Sequence, residues 1–81
     1  MNEIPGEILA KQLGYTLYAH SGDYSSAIYS KGPLSLTITK EGKATVKAFY
    51  KLVTISSGEF SFPHPRFEIF ENQVLRCLPI D

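Results

Sequence analysis

The sequence is poor in cysteine and has no tryptophan: Cys77 is the single cysteine among 81 residues. One thiol excludes an intramolecular disulfide and a cysteine-rich zinc site, and such low usage is typical of a reducing compartment. No run of about 18 apolar residues is present, so the sequence predicts no membrane-spanning helix. The first seven residues are acidic and lack an apolar stretch, unlike a secretory signal. We therefore expect a cytoplasmic protein with no membrane partner.

Motifs that carry chemistry are also missing. The sequence has no glycine-rich phosphate loop and no set of histidines, cysteines or carboxylates at ligand spacing. His20, Ser21 and Asp23 are residue types used in nucleophilic catalysis, but three groups in one tight turn rarely surround a pocket. We expect them to satisfy backbone groups of the turn. No catalytic, cofactor-binding or metal-binding residue is assigned, and we expect neither enzymatic activity nor a cofactor.

The most informative segment is residues 34–50, where apolar and polar residues alternate on both sides of a loop at residues 40–42. Alternation with a period of two predicts two strands that each bury one face. Gly42 suits a three-residue loop, and a one-residue slip would turn the apolar side chains against polar ones. The predicted cross-strand pairs are Leu34 with Ala48, Leu36 with Val46, and Ile38 with Ala44.

The N-terminal part predicts a short helix and a second hairpin. Residues 5–13 form the predicted helix, which ends at Gly14 and docks through an apolar stripe. Residues 14–20 and 24–30 are rich in tyrosine, threonine and isoleucine and predict two strands. The stripe consists of Ile4, Ile8, Leu9 and Leu13.

The C-terminal part predicts a long strand, an edge strand and a second helix. Because no glycine or proline lies between Lys43 and Ser57, we expect the fourth strand to be long and bent and to reach about Ser56. Residues 57–58 then predict a turn, and residues 60–62 predict a short edge strand. A helix follows from Pro65 to Pro79, with Cys77 expected to be buried. Its apolar stripe is Phe67, Phe70, Val74 and Leu78.

These elements predict one α+β domain over residues 1–81, with two layers. The sheet is an antiparallel meander of four to five strands, flanked by a short N-terminal helix and a C-terminal amphipathic helix. In a chain of this size, the second helix is expected to supply much of the core by lying across the sheet.

Net charge is zero but unevenly distributed. Residues 31–51 hold five lysines against one glutamate, a net charge of +4, and the segments on either side are acidic. Lys43, Lys47 and Lys51 are spaced by four, so a regular strand would place them on one face with Phe49, and Lys40 would lie nearby. This row either tracks phosphates or keeps a solvent face soluble and guards a strand edge.

Aromatic residues are the second candidate for a binding surface. Five tyrosines fall in predicted strands, and a domain this small cannot easily bury them all, so we expect some at a partner surface or a self-association surface. His64 lies between two prolines and either caps the second helix or presents its ring to a partner. The tyrosines assigned to partner binding are Tyr18, Tyr24 and Tyr29.

Without chemistry to assign, the composition favours a binding protein. We expect a small non-enzymatic interaction module, comparable in size and economy to phage or mobile-element inhibitors that block a larger bacterial protein or ribonucleoprotein. The alternative is a nucleic-acid-binding domain that uses the lysine-lined strand face. Self-association as a homodimer stays open, and a small-ligand site would have room mainly at a dimer interface.

Overall fold

A computed structural model describes residues 3–78 as a two-layer α+β domain, which confirms the predicted fold class. Five strands form an antiparallel meander in chain order, so every neighbour in the sheet is also a neighbour in sequence. Both helices pack on the same face of this sheet. The elements are α1 (Glu7–Gln12), β1 (Thr16–His20), β2 (Ser26–Lys31), β3 (Leu34–Thr39), β4 (Lys43–Tyr50), β5 (Val53–Ser61) and α2 (Phe67–Cys77).

The central hairpin of β3 and β4 has the predicted register. Ile38 pairs with Ala44 and Leu36 pairs with Val46 across the loop at residues 40–42. Gly42 adopts a φ of 84°, the left-handed conformation that such a loop needs. All four paired side chains are buried. Alternation and loop length together therefore determine which face of this hairpin enters the core.

The prediction of one strand from Lys43 to about Ser56 is wrong. The chain reverses at Lys51 and Leu52, which adopt φ values of 48° and 68°, and β5 returns antiparallel to β4. Two consecutive positive φ values define the turn type that matches the strand twist, a position usually held by asparagine and glycine. Because neither residue is typical of turns, this reversal has no signal in the local residue types.

The predicted turn at residues 57–58 is a β-bulge within β5. Thr45 pairs with Glu59 and Lys47 pairs with Ser56, so β5 carries one extra residue between these pairs. Gly58 has a φ of 85°, and the Val46 N–H donates to Ser57 Oγ at 3.1 Å in place of a ladder bond. The extra residue shifts the alternation of β5, so that residues on both sides of the bulge keep their apolar side chains toward the helices.

The second helix covers the sheet with its predicted apolar stripe. Phe67 and Val74 are buried, and Phe70 and Leu78 pack against the core. The Phe70 ring stacks on Phe60 of β5 with centroids 4.0 Å apart. Cys77, expected to be buried, is exposed, and Pro79, expected to end the helix, lies outside the described residues.

The first helix is shorter than predicted and docks by a different face. Ala10 is its fully buried residue, whereas Ile8 is 72% exposed, and of the predicted stripe it is Ile4, which precedes the helix, that packs against the core. Gly6 precedes the helix with a φ of 68°, and a Cβ there would lie 2.6 Å from Ile38 Cδ1. The small residues Gly6 and Ala10 thus allow the helix backbone to approach the sheet closely.

A polar cluster joins the two layers beside the middle of α2. The Tyr15 hydroxyl donates to Glu71 Oε2 at 2.7 Å, and Lys31 Nζ lies 2.7 Å from the same oxygen. Lys31 Nζ also lies 4.7 Å from the Tyr15 ring centroid. Burial, followed by the hydrogen bond to Glu71, raises the pKa of the Tyr15 hydroxyl well above its usual range. The cluster connects α2 to the end of β2 and to the segment after α1.

Candidate binding surface on the open face of the sheet

One face of the sheet packs against both helices, and no described element covers the other. We call this second surface the open face. The register defines two rows of side chains that cross it from β1 to β5. One row is Thr16, Ser30, Ser35, Lys47 and Ser56, and the other is Ala19, Ile28, Thr37, Thr45 and Glu59.

Serine and threonine dominate the open face. Their hydroxyl groups donate and accept hydrogen bonds without a charge to desolvate, and short side chains leave the surface of the sheet smooth. Lys47 and Glu59 are the charged members of the two rows, and Ile28 is partly exposed near the centre. A surface of this kind can bind a partner by area and hydrogen bonding. The two rows do not converge on a concave pocket suited to a small substrate.

The lysine row is divided between this face and two turns. Lys43 and Lys47 lie on the open face of β4 together with Phe49, as the alternation predicts. From the strand rise, Lys43 and Lys47 are about 13 Å apart along β4. Lys51 lies in the turn that follows β4, and Lys40 lies in the loop that precedes it. The four cations therefore extend along the whole length of β4.

An apolar group at the end of the β4–β5 hairpin was missed by sequence reasoning. Pairing between β3 and β4 ends at Ser35 and Lys47, so the last residues of β4 form a two-stranded ribbon with β5. We call residues 49–53 of this ribbon the hairpin tip. Phe49, Leu52 and Val53 are 68%, 90% and 59% exposed there. The available signal was the run Phe-Tyr-Lys-Leu-Val, in which apolar residues no longer alternate with polar ones.

The three tyrosines assigned to partner binding occupy different environments. Tyr29 is fully buried, so its assignment to a binding surface is wrong: its hydroxyl donates to the Pro5 carbonyl, and its ring lies in the core. Tyr24 is partly exposed in the β1–β2 turn, where it stacks on His20 with centroids 4.9 Å apart. Tyr18 is 75% exposed at an irregularity of the edge strand β1.

His64 lies on the helix side of the sheet, away from the open face. Its ring packs edge-on against Phe70 at a centroid distance of 4.9 Å, and its Nδ1 accepts a hydrogen bond from the Arg66 N–H at 3.0 Å. Arg66 is the residue immediately before α2. These contacts fix the His64 ring beside the start of α2, where no side chain caps the helix by a hydrogen bond.

The cluster of His20, Ser21 and Asp23 forms the turn between β1 and β2. Ser21 Oγ donates to Asp23 Oδ1 at 2.8 Å and accepts from the Ser25 N–H at 2.9 Å. Hydrogen bonds from Ser25 and then Ser21 lower the pKa of Asp23 to about 2. His20 Nδ1 points at the Ser21 carbonyl oxygen, not at its hydroxyl. The histidine ring therefore does not contact the Ser21 hydroxyl, whose bonds to Asp23 and Ser25 hold the turn together.

Two further structural findings concern residues 3–78. Within this range, no group of three histidine, cysteine or carboxylate side chains is placed to hold a metal ion. Neither helix described there is long and apolar enough to cross a membrane.

Comparison with known proteins gives no match: no family model, curated protein or solved structure resembles this chain significantly. The class of the protein accordingly comes from its fold, a two-layer α+β domain with a meander sheet that is open on one face. The open face and the hairpin tip are the two surfaces of this domain that a partner could contact.

Proposed function

We propose that this protein is a small non-enzymatic interaction module that binds a larger protein or ribonucleoprotein and blocks it. The binding surface is the open face together with the hairpin tip. The observation that carries the proposal is the exposure of Phe49 and Leu52 at one end of a smooth, hydroxyl-rich sheet, with Val53 exposed on the other side of the same ribbon. A monomeric domain gains nothing from holding these large apolar side chains in water, whereas interfaces concentrate such groups.

Burial of the apolar side chains at the hairpin tip can contribute enough binding free energy for a specific interaction. Full burial of each such side chain contributes about 1.5–3 kcal/mol, so Phe49 and Leu52 together supply roughly 3–6 kcal/mol before the cost of association. The hydroxyl rows add area and hydrogen bonds. Lys47 and Lys51 flank the apolar group, and they favour a partner with acidic residues around an apolar pocket because opposite charges steer association.

A second candidate is single-stranded nucleic acid bound along β4. Lys43, Lys47 and Phe49 share the open face, and this combination supplies two phosphate contacts with an aromatic ring on which a base can stack. The zero net charge of the chain argues against it, since nucleic-acid-binding domains usually carry a basic excess. The protein-binding function therefore takes precedence.

The test of the main proposal compares matched variants in capture from bacterial lysate. The double variant Phe49→Ser/Leu52→Ser removes two apolar groups from the hairpin tip, and Ile8→Ser removes an equally exposed one from α1. We expect a defined partner to be captured by the wild type and Ile8→Ser but lost with the double variant. The activity of that partner should fall when the wild-type protein is added. Equal capture by all three proteins, or an unaffected partner, contradicts the proposal.

The nucleic-acid alternative is tested with labelled single-stranded DNA in a fluorescence anisotropy titration at low salt. If it holds, Lys43→Glu/Lys47→Glu abolishes binding and Lys11→Glu, a change of one exposed lysine on α1, does not. Binding should also weaken steeply with added salt as counterions compete for the phosphates. Absence of binding by the wild-type protein at low salt eliminates this candidate.

A further inference from the structure

The hairpin tip extends beyond the part of the sheet that β3 supports. Pairing of β3 with β4 ends at Ser35 and Lys47, whereas β4 and β5 stay paired up to Tyr50 and Val53. At about 3.3 Å per residue, the ribbon therefore extends roughly 10 Å past the last pair with β3. On the helix side the core also ends before the turn, because Ile55 packs against it while Val53 is 59% exposed. The tip is thus a projection of the domain.

The exposed apolar side chains of this projection point in three directions. Alternation along β4 places Phe49 on the open face, and pairing with Tyr50 places Val53 on the helix side of the ribbon. Leu52 lies at the apex, in the turn itself, and is 90% exposed. Lys51 Nζ lies 5.3 Å from the centroid of the Tyr50 ring, so the charged group of the tip is held beside that ring. A flat partner surface could cover one of these directions, but not all three.

The backbone of the turn gives a second, independent argument. Lys51 and Leu52 adopt φ values of 48° and 68°, which asparagine and glycine adopt at lower cost. An almost fully exposed leucine gains no packing within the domain in return for this strain. Strained backbone that persists without a local gain is typical of functional sites. Leu52 is therefore the residue of the tip best placed to enter a partner.

We propose that the hairpin tip inserts into an apolar cleft of the partner protein, which encloses Phe49 and Val53 from opposite sides and Leu52 at its floor. The inference rests on the proposed function and specifies the shape and chemistry of the partner. The cleft is about 10 Å deep, to match the ribbon, and about as wide, because the ribbon carries side chains on both faces. Since proteins bind their own ligands in clefts of this kind, insertion of the tip blocks the partner.

Charge complementarity places acidic residues at the rim of this cleft. Lys47 is exposed on the open face at the base of the ribbon, two residues before Phe49 and on the same side. When Phe49 enters the cleft, Lys47 stays at its mouth, where carboxylates of the partner can steer association and pair with the ammonium group.

Single-tryptophan variants test whether the tip is enclosed. The chain has no tryptophan, so Leu52→Trp and Val53→Trp, produced with 5-fluorotryptophan, each give one ¹⁹F NMR signal. The partner used is the protein that the wild type captures from bacterial lysate, identified by mass spectrometry and purified. On its addition both signals should lose most of their H₂O/D₂O isotope shift, because both positions leave water. Ile8→Trp, at an exposed position of α1, is the matched control and should keep its shift.

Affinity measurements on serine variants test the same geometry without a probe. Phe49→Ser and Leu52→Ser should each weaken binding of the purified partner roughly ten- to hundredfold, and Val53→Ser roughly tenfold, because each buried side chain is lost. Ile8→Ser should bind as the wild type does. In Lys51→Asn/Leu52→Gly the turn is kept and its strain is relieved, so we expect a stable protein that binds as weakly as Leu52→Ser.

The outcomes separate this inference from the function on which it rests. If the wild type captures no partner, both fail. If Phe49→Ser and Leu52→Ser weaken binding but Val53→Ser does not, the partner contacts only one side of the ribbon; the cleft is then overturned and the proposed function stands. Binding of the wild type to vesicles of phosphatidylcholine and phosphatidylglycerol, lost in Leu52→Ser, would assign the tip to a lipid surface and overturn the proposal. A concentration-dependent dimer that Leu52→Ser abolishes would overturn it in favour of a second copy.

Discussion

Replacing Tyr15 by phenylalanine tests the polar cluster that joins the helix layer to the sheet. The substitution removes one hydroxyl and keeps the buried ring, whose edge-on contact with Phe67 has a centroid distance of 6.1 Å. What is lost is the 2.7 Å hydrogen bond to Glu71 Oε2. Glu71 keeps its ion pair with Lys31 at 2.7 Å, so the carboxylate is not left without a partner.

The expected cost follows from the charge of the acceptor. A hydrogen bond to an ionised group contributes about 1.5–3 kcal/mol to stability, and the remaining ion pair to Lys31 places this one near 2 kcal/mol. An 81-residue domain has a free energy of unfolding of about 4–12 kcal/mol. Tyr15→Phe should therefore lower the melting temperature by roughly 10 °C, because the variant loses a large fraction of a small total.

Thermal and urea unfolding of four variants, Tyr15→Phe, Tyr18→Phe, Glu71→Gln and Tyr15→Phe/Glu71→Gln, measure the effect. Tyr18→Phe is the matched control, because Tyr18 is 75% exposed and should change stability by less than about 0.5 kcal/mol. In a Glu71→Gln background the acceptor is neutral, and the cost of Tyr15→Phe should fall to about 1 kcal/mol. If Tyr15→Phe unfolds at the same temperature as Tyr18→Phe, the hydrogen bond from Tyr15 to Glu71 does not stabilise the contact between the two layers.

Three other predictions concern titration and backbone conformation. Burial, and then the nearby Glu7 charge, raises the pKa of Tyr29 to about 12. Because the pKa of tyrosine in the unfolded chain is near 10, the free energy of unfolding should stay constant below pH 10 and fall as pH rises toward 12. Circular dichroism and phenolate absorbance follow this change. A protein equally stable across that range contradicts this prediction. Gly6→Ala should lower stability by about 1–3 kcal/mol in urea, since its Cβ would meet Ile38 at 2.6 Å with a positive φ; an unchanged midpoint would show that α1 adjusts. Replacing Lys51 and Leu52 by asparagine and glycine should stabilise the hairpin by about 1 kcal/mol, and a lower midpoint would argue against the turn geometry.

Local patterns predicted the parts of the fold that depend on neighbours in sequence. The register of β3 and β4 follows from alternation and a three-residue loop, and the structure has it at Ile38–Ala44 and Leu36–Val46. The apolar stripe of α2 was likewise recognised from its helical spacing, and Phe67 and Val74 are buried. In both cases one short segment contains all the information, since a strand or helix has only one way to bury such a pattern.

The turn between β4 and β5 could not be predicted, because its residues do not favour it. Lys51 and Leu52 adopt left-handed conformations that pairing of the strands imposes on them. Residues 43–56 contain no glycine or proline and therefore read as one strand, and only the gain from pairing β5 with β4 selects the reversal. The candidate site was affected directly: Lys43, Lys47 and Phe49 were placed correctly on one face, while Leu52 and Val53 were missed with the turn.

Periodicity and turn chemistry act over a few residues, so local segments were enough to predict the fold class, the central hairpin and the amphipathic second helix. Packing of the whole chain was needed to show that Tyr29 enters the core, that α1 docks through Ala10 instead of Ile8, and that an apolar tip is exposed. These outcomes depend on which surfaces meet across the whole chain. The competition among side chains for one limited core is a property of the packed molecule and not of any segment.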